Sequence, residues 1–397
     1  MNEDQNSPID YSLANSPSHL DQILQAAIDK RASDIHFEPV DTNFNVRFRV
    51  DGTLSIFEQL PIEAYETIGS RIKILAKLDI TNHRFPQDGH MEFHSKNMVH
   101  DVRVSTIPTQ FGETIVLRIF SGSELLLNID SHGFEPEQLA LIKSLILSPH
   151  GLLLTTGPTG SGKTSLLYAI LHALDKPERS IVTIEDPIEF IMPSIRQTQV
   201  NESINLTYAT ILRSLLRQDP DVAMIGEIRD TDALLLTIQA AMTGILVLST
   251  FHAFDVPALI VRFMEMGVGR SVVAQAINAV ISTRLLRKIC PSCIDSYQPT
   301  PLELELLGKN FPNMQFKKGK GCNNCHNSGY MGRIDIYEIV HFDNEIKLHI
   351  IDNKSTASFY ELLASKNVQS LKAVALKKAG QGLTTLEEVI RVVGFEK

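Results

Sequence analysis

Apolar positions follow three regimes along the chain. Leu20, Ile23, Leu24, Ala27 and Ile28 recur at helical spacing. They predict a short amphipathic helix running to about Lys30, with Ser18 as its N-cap and Asp21 three residues on. Val46, Phe48 and Val50 instead alternate with Arg47 and Arg49, the period of a half-buried strand. Asp51-Gly52 then supplies a hairpin turn, and Leu54 to Leu60 the return strand. Ile68, Ile72, Leu75 and Leu78 share one face of a helix predicted over 61–78, and strands follow at 99–106 and 114–120. These elements make an α+β N-terminal domain, 18–120, between a polar leader, 1–17, and a linker rich in Gly, Ser, Asn and Pro, 121–135.

Beyond the linker the alternation gives way to continuous apolar runs at 151–156, 180–184, 222–226 and 245–250, separated by helical stretches. Such βα alternation predicts an α/β core, 136–288, with a parallel sheet and helices on both faces. A long helix from about Ser271 to Lys288 is expected to close it. A cysteine-bearing segment, 289–330, and a helical C-terminal region, 331–397, complete the chain.

Composition narrows the function classes. The 397 residues suggest two or three domains, and 43% hydrophobic with 21% charged residues is ordinary for globular proteins. A disordered, collagen-like or disulfide-stapled protein is excluded. The 37 basic against 46 acidic residues leave a net charge of −9, which speaks against a general nucleic-acid coat. No apolar run approaches the roughly 18 residues a bilayer span needs. Met1 to Leu20 lacks the basic start and apolar stretch of a signal peptide, so a cytosolic location is expected.

The strongest chemical signal is Gly157-Pro158-Thr159-Gly160-Ser161-Gly162-Lys163-Thr164, the G-x-x-x-x-G-K-[ST] phosphate loop. The apolar run Leu152 to Thr156 enters it and a helix from Ser165 to Leu174 leaves it. Glycines let consecutive backbone N–H groups curl around phosphate oxygens at a helix N-terminus. Lys163 is then placed for the β- and γ-phosphates of ATP, and Thr164 for Mg²⁺. In such sheets ligand-handling groups gather at the C-terminal strand ends. Glu227, after Val222–Ile225, is the candidate for orienting the attacking water. Glu185, after Ile181–Ile184, lies on the same edge, and the two acidic motifs beside a phosphate loop together read as catalytic.

Further motifs flank this core in a fixed order. Ser33-Asp34-Ile35-His36-Phe37-Glu38-Pro39 is followed by Arg47 to Gly52, then Arg84-Phe85-Pro86-Gln87-Asp88-Gly89. Asp101 to Thr106 and Gly112-Glu113 through Arg118 come next. After the phosphate loop stand Thr183 to Glu189, an Asp box, and Leu215 to Asp221 running on to Gly226-Glu227-Ile228-Arg229-Asp230, a Walker B stretch. From about Ser33 to Ile339 the ordered set resembles the secretion ATPases of type II secretion and type IV pilus assembly. That resemblance implies a RecA-like ATPase core behind a PAS-like N-terminal domain. It also implies a homohexamer at the cytoplasmic face of the inner membrane, with ATP bound between the two domains. Hydrolysis would drive assembly of pilins or pseudopilins through an integral membrane platform protein. Two family arginines that face the phosphates correspond to Arg103 and Arg118. Guanidinium forks on otherwise apolar strands suit that role.

Two stretches depart from the family pattern: after Arg229-Asp230 the family has one residue and then Glu-Thr, whereas this chain has Thr231-Asp232-Ala233, and a later box also differs. Where the family reads Thr-Gly-His and then Thr-Leu-His-Thr-Asn, this chain has Thr243-Gly244-Ile245 and Thr250-Phe251-His252-Ala253-Phe254. Only His252 keeps the position of a γ-phosphate sensor. Fewer residues precede Ser33 than the extra docking domain of many assembly members requires, so the resemblance is to a short form, such as that of competence-type pili.

All four cysteines fall into two pairs, Cys290-Pro291-Ser292-Cys293 and Cys322-Asn323-Asn324-Cys325, 28 residues apart. Each two-residue gap lets two thiolates grip one ion, and two such knuckles complete a structural Zn²⁺ site with no open position. The long spacing requires a protruding loop, which carries Lys317, Lys318 and Lys320. A tetracysteine is also typical of the family's assembly members rather than its retraction members. Three rival readings stand beside the assembly motor: a retraction motor, a poorly hydrolysing scaffold subunit, and a DNA translocase. The net acidity and lack of a basic, aromatic-studded channel motif count against the last, so no nucleic-acid partner is expected.

Overall fold

The alternating strands of the first hundred residues close into one antiparallel sheet. In the computed structural model, which describes residues 17–95, 98–120, 127–301, 303 and 315–394, the chain divides into two units, Met1–Gly122 and Ser123–Lys397. Most of the polar leader, residues 1–16, lies outside the described residues, as do 121–126 of the linker and 302 and 304–314 of the inter-cysteine loop.

The first unit holds β1 (Ala32–Val40), β2 (Asn43–Val50), β3 (Thr53–Pro61), β4 (Gln87–Ser95), β5 (Met98–Thr109) and β6 (Gly112–Phe120) in the order β3-β2-β1-β6-β5-β4. The apolar sides of α1 (Pro17–Asp29) and α2 (Ile62–Leu75) meet this sheet, burying Leu20, Ile23, Leu24, Ile68 and Ile72 among Phe37, Phe44, Val46, Val104 and Leu117. Ser18 lies inside α1 rather than capping it. The predicted hairpin turn is present, with φ of 50° at Asp51 and 83° at Gly52, so both central residues are left-handed as a type I′ turn requires. A buried ion pair between Lys73 Nζ and Glu113 Oε2, 2.6 Å, fastens α2 to the start of β6.

In the second unit the apolar runs become β7 (Gly151–Thr156), β8 (Ile181–Glu185), β10 (Val222–Ile225) and β11 (Leu246–Phe251). With β9 (Arg196–Gln199), β12 (Ile277–Ile289) and β15 (Tyr330–His341) they form a sheet ordered β15-β12-β7-β11-β10-β8-β9. Strands β12 to β9 run parallel, and β15 joins antiparallel to β12. Alternate residues of each central strand feed opposite cores. Leu152 and Leu154 meet α5 (Tyr208–Leu215), α6 (Thr231–Met242), α7 (Val256–Glu265) and α8 (Arg270–Ala276); Leu153 meets α3 (Pro136–Leu145) and α4 (Lys163–Leu174). A small hairpin, β13 (Ile294–Tyr297) and β14 (Phe316–Gly319), follows β12.

Two expectations are corrected here. The long helix predicted over 271–288 is a short α8 followed by the thirteen-residue β12. A strand buried on both faces reads as a continuous apolar run, whose periodicity does not separate it from a buried helix. The segment 331–397 likewise opens with β15 before turning helical as α9 (Asn344–Ile351), α10 (Thr356–Ser365), α11 (Leu371–Gly380) and α12 (Leu386–Val393). The last two pack on Leu286 and Ile336, and the fully buried Glu388 accepts hydrogen bonds from Arg287 and Arg391.

The segment before α3 is pressed onto β15. Phe134 stacks on Tyr337 with centroids 4.0 Å apart, and a Cβ on Gly133 would lie 2.3 Å from the Asp335 carbonyl oxygen. Gly133→Ala is therefore expected to cost about 1–3 kcal/mol through overpacking against rigid backbone. Chemical denaturation of the purified chain would show this as a lowered midpoint at unchanged slope, and an unaltered midpoint would disprove the close approach.

Candidate functional site

The phosphate loop bridges the buried end of β7 and the first turn of α4. Gly157, Gly160 and Gly162 have φ of 148°, 74° and 92°, backbone that L side chains rarely adopt. At Gly157 a Cβ would also fall 2.6 Å from both Ser161 Oγ and the Thr283 carbonyl oxygen, so glycine is required twice over. The Lys163 ammonium donates to the Gly157 and Pro158 carbonyls at 2.8 and 2.9 Å, and Thr283 Oγ1 donates to Ser161 O at 2.9 Å. Pro158, Thr159 and Gly160 are exposed, whereas Ser161 is buried and Thr164 half-buried. Ser161 Oγ has no hydrogen-bonding partner among the described residues. A buried hydroxyl without a partner, a lysine ammonium and a helix N-terminus are a donor set that fits nucleotide phosphates, with Thr164 placed to hold Mg²⁺. Burial lowers the Lys163 ammonium to about 8; the negative charge of Glu227 resists this, and Arg284 adds to it.

The acidic groups stand at neighbouring strand ends. Glu227 follows β10, a quarter exposed, and pairs with Arg229 Nε; the Arg229 guanidinium reaches on to Asp186 Oδ2 at 2.8 Å. His252 Nε2, at the end of β11, lies 3.6 Å from Glu227 Oε2. Glu185 is different. It is buried and accepts from the Tyr168 hydroxyl, from Thr183 Oγ1 at 2.5 Å and from Gln197 Nε2 at 3.1 Å. Its side chain thus joins β8 to α4 and β9, while Glu227 pairs with Arg229 and lies near His252. At the departing box, Ile245 is buried at the start of β11, and Phe254 is 83% exposed.

In the first unit Arg103 and Arg118 sit directly opposite each other on β5 and β6. Arg118 Nε donates to Asp34 Oδ1 at 2.8 Å, and Arg49 Nε lies 3.6 Å from the other oxygen. Asp34, from the first motif, therefore fixes the Arg118 guanidinium and draws in Arg49 of the second. Sequence reading assigned no role to Arg229, Tyr168 or Gln197. An arginine two residues after Glu227 was a visible signal for the first. The other two depend on long-range packing that no local pattern carries.

The four cysteines come together as the spacing requires. Their sulfurs all lie within 4.8 Å of one another, with Cys290–Cys322 and Cys293–Cys325 at 3.8 Å and Cys322–Cys325 at 3.7 Å. Four sulfurs about 2.3 Å from a central Zn²⁺ form a tetrahedron with edges of about 3.8 Å, so the cluster fits that ion; a disulfide would need about 2.05 Å. Burial raises the Cys325 thiol, but the backbone N–H groups of Cys322 and Gly329, donating to its sulfur at 3.2 and 3.3 Å, bring it down to about 6.

Strand, glycine loop and helix, with Glu227 at the end of β10, one strand removed from β7, define a P-loop protein of RecA-like fold. The chain belongs to the Type II/IV secretion system protein family, whose model matches residues 12–391. It is 41% identical over 376 residues to the type IV pilus assembly ATPase PilB of Myxococcus xanthus, covering 93% of this chain and 66% of that one. It is 40% identical over 378 residues to type II secretion system protein E of Pseudomonas aeruginosa, covering 95% and 75%. The chain spans less than two thirds of the length of the pilus-assembly relatives it matches. The fold is also similar to that of the Legionella pneumophila ATPase DotB, with a TM-score of 0.69, 20% identity and coverage of 94% and 95%. No helix among the described residues is long and apolar enough to cross a membrane.

Two expectations follow from this geometry. Phosphate binding favours a charged Lys163, so Mg-ADP affinity should fall as the free protein's lysine deprotonates. Calorimetry should give a dissociation constant about tenfold weaker at pH 9 than at pH 7, and a flat profile would contradict the lowered ammonium. Separately, the purified chain should contain one equivalent of zinc, with Cys322→Ser losing it and unfolding at lower temperature. Metal analysis showing a zinc-free, equally stable wild type would reject the site.

Proposed function

We propose that this chain is an ATP-hydrolysing motor subunit for assembly of pilin or pseudopilin fibres in type IV pilus or type II secretion machinery. The observation that carries this reading is a complete phosphate loop on the β7–α4 turn, with Glu227 at the end of β10 in the same parallel sheet, in a chain about 40% identical to assembly ATPases over nearly its whole length. Lys163 and the loop N–H groups bind the β- and γ-phosphates, and Thr164 holds Mg²⁺, which neutralises phosphate charge when bound. Glu227 orients the attacking water, with Arg229 bridging it to Asp186. Glu185 positions the loop helix through Tyr168, and His252 senses the γ-phosphate. Arg103 and Arg118 supply positive charge in the transition state. Cys290, Cys293, Cys322 and Cys325 would hold a Zn²⁺ whose role would be structural, joining the two knuckles. The working form is a homohexamer on the cytoplasmic face of the inner membrane, docked to an integral platform protein.

A second reading is favoured by the altered box. With Ile245 buried and Ala253-Phe254 replacing a polar pair, the chain would bind ATP as a scaffold for a related motor and turn it over poorly. Steady-state Mg-ATP turnover across a range of protein concentrations separates the two. The motor reading expects turnover that rises with self-association and falls at least a hundredfold in Glu227→Gln while nucleotide binding persists. Binding without turnover sensitive to that substitution would establish the scaffold instead.

A further inference from the structure

Behind the phosphate loop lies a polar cluster that the proposed chemistry leaves unused. Asp335 is opposite Leu285 in the β12–β15 pairing, and its Oδ1 comes so near the loop that a Cβ on Gly162 would lie 3.0 Å from it. Gly162 is the residue from which α4 starts, and the α4 N-terminus is the positive end offered to the phosphates. A side-chain carboxylate and a nucleotide phosphate therefore compete for the same partial charge.

The carboxylate is held from the far side. His132 Nδ1, 2% exposed, lies 3.8 Å from Asp335 Oδ2 and 2.9 Å from the Tyr337 hydroxyl, which itself hydrogen-bonds Asp335. Arg333 adds positive charge from the same strand, while Arg284 of β12 is turned toward Gly157. Burial raises the Asp335 carboxyl above the usual range, against the opposing pull of His132. Gly133 keeps the arrangement compact by letting the backbone of 132–134 touch that of β15.

We propose that Asp335 is a positioning residue that sets nucleotide affinity: its carboxylate, held by His132 and Tyr337, opposes phosphate charge at the Gly162 end of the loop and ties segment 127–135 to that loop. The inference rests on the phosphate-loop reading of Gly157 to Thr164. A unit charge several ångströms from the phosphates, screened by solvent to a dielectric near that of water, changes affinity by about three- to tenfold. The carboxylate speeds product release at the expense of tight binding.

The test is a fluorescence titration of the full chain with an N-methylanthraniloyl derivative of Mg-ADP, at low and high salt. Asp335→Asn, nearly the same shape, should tighten binding about three- to tenfold, with the gain shrinking as salt screens the charge. Asp335→Ser should do the same, whereas Asp335→Glu should return affinity toward wild type. A merely structural role would move none of these by charge. Unchanged or weaker binding in both neutral variants, with their circular dichroism intact, would overturn the proposal. Failure of the wild type to bind Mg-ADP would instead refute the phosphate-loop reading beneath it.

Discussion

The parallel pairing of β7 with β11 on one side and β12 on the other is the constraint from which the second unit follows. A strand flanked on both edges and covered on both faces has its hydrogen bonds and side chains fully committed. Its C-terminal end therefore emerges at a fixed point, and the loop from Gly157 must turn there into α4. Glycines at positive φ make that turn possible, and Thr283 of β12 steadies it by bonding the Ser161 carbonyl. Because β10 and β8 continue the same parallel array, Glu227 and Glu185 reach the same edge without any further device. Topology places the chemistry, and local sequence selects which side chain stands there.

Within each unit the charged groups singled out above are held by partners rather than left loose. Arg229 spans Glu227 and Asp186, Lys163 binds carbonyls of its own loop, and Arg118 is fixed by Asp34. Such pairing limits the rearrangement needed when phosphates arrive, which is the physical content of electrostatic preorganisation. It also has a cost, since each pair must be partly undone before the group can act on a substrate. Glu185 lies at the other extreme: buried and accepting from three side chains, it serves as a rigid joint between β8, α4 and β9.

What could be read from the chain follows the range of the interactions involved. The phosphate loop, the Asp51-Gly52 hairpin and the two C-x-x-C knuckles are local devices, and each was legible as a spacing of residue types. The short apolar strands β7, β8, β10 and β11 were legible because helices and turns interrupt them at regular intervals. β12 was not, since Ile277, Val280 and Ile281 are buried and its neighbour α8 runs into it without a turn. Nor were β4 and β15 recognised; β4 carries His90, Glu92 and His94 at a sheet edge, where polar residues mask the alternation. The partners of Glu185, and the approach of Asp335 to Gly162, join residues that lie far apart in sequence. No pattern within one element announces them.

The strand that was misread is also the one that links the two chemical centres of the second unit. The first half of β12 pairs with β7 and sets Thr283 beneath the phosphate loop; its second half ends at Ile289, one residue before the first cysteine of the cluster. Along that half, Arg287 bonds the buried Glu388 of α12, lies over the Tyr330 ring at 4.0 Å, and gives its carbonyl to Thr384. Ile289 adds a backbone bond to Leu383. The C-terminal helices and the cysteine cluster are therefore anchored on the same continuous strand that supports the loop. The pairing with β15 runs from Ala279 to Ile289, with one irregularity between Arg287 and Ile289, just before the first cysteine. Thr283 and the cysteine cluster thus take their positions from one strand, so what fixes the end of β12 also fixes the support of the loop.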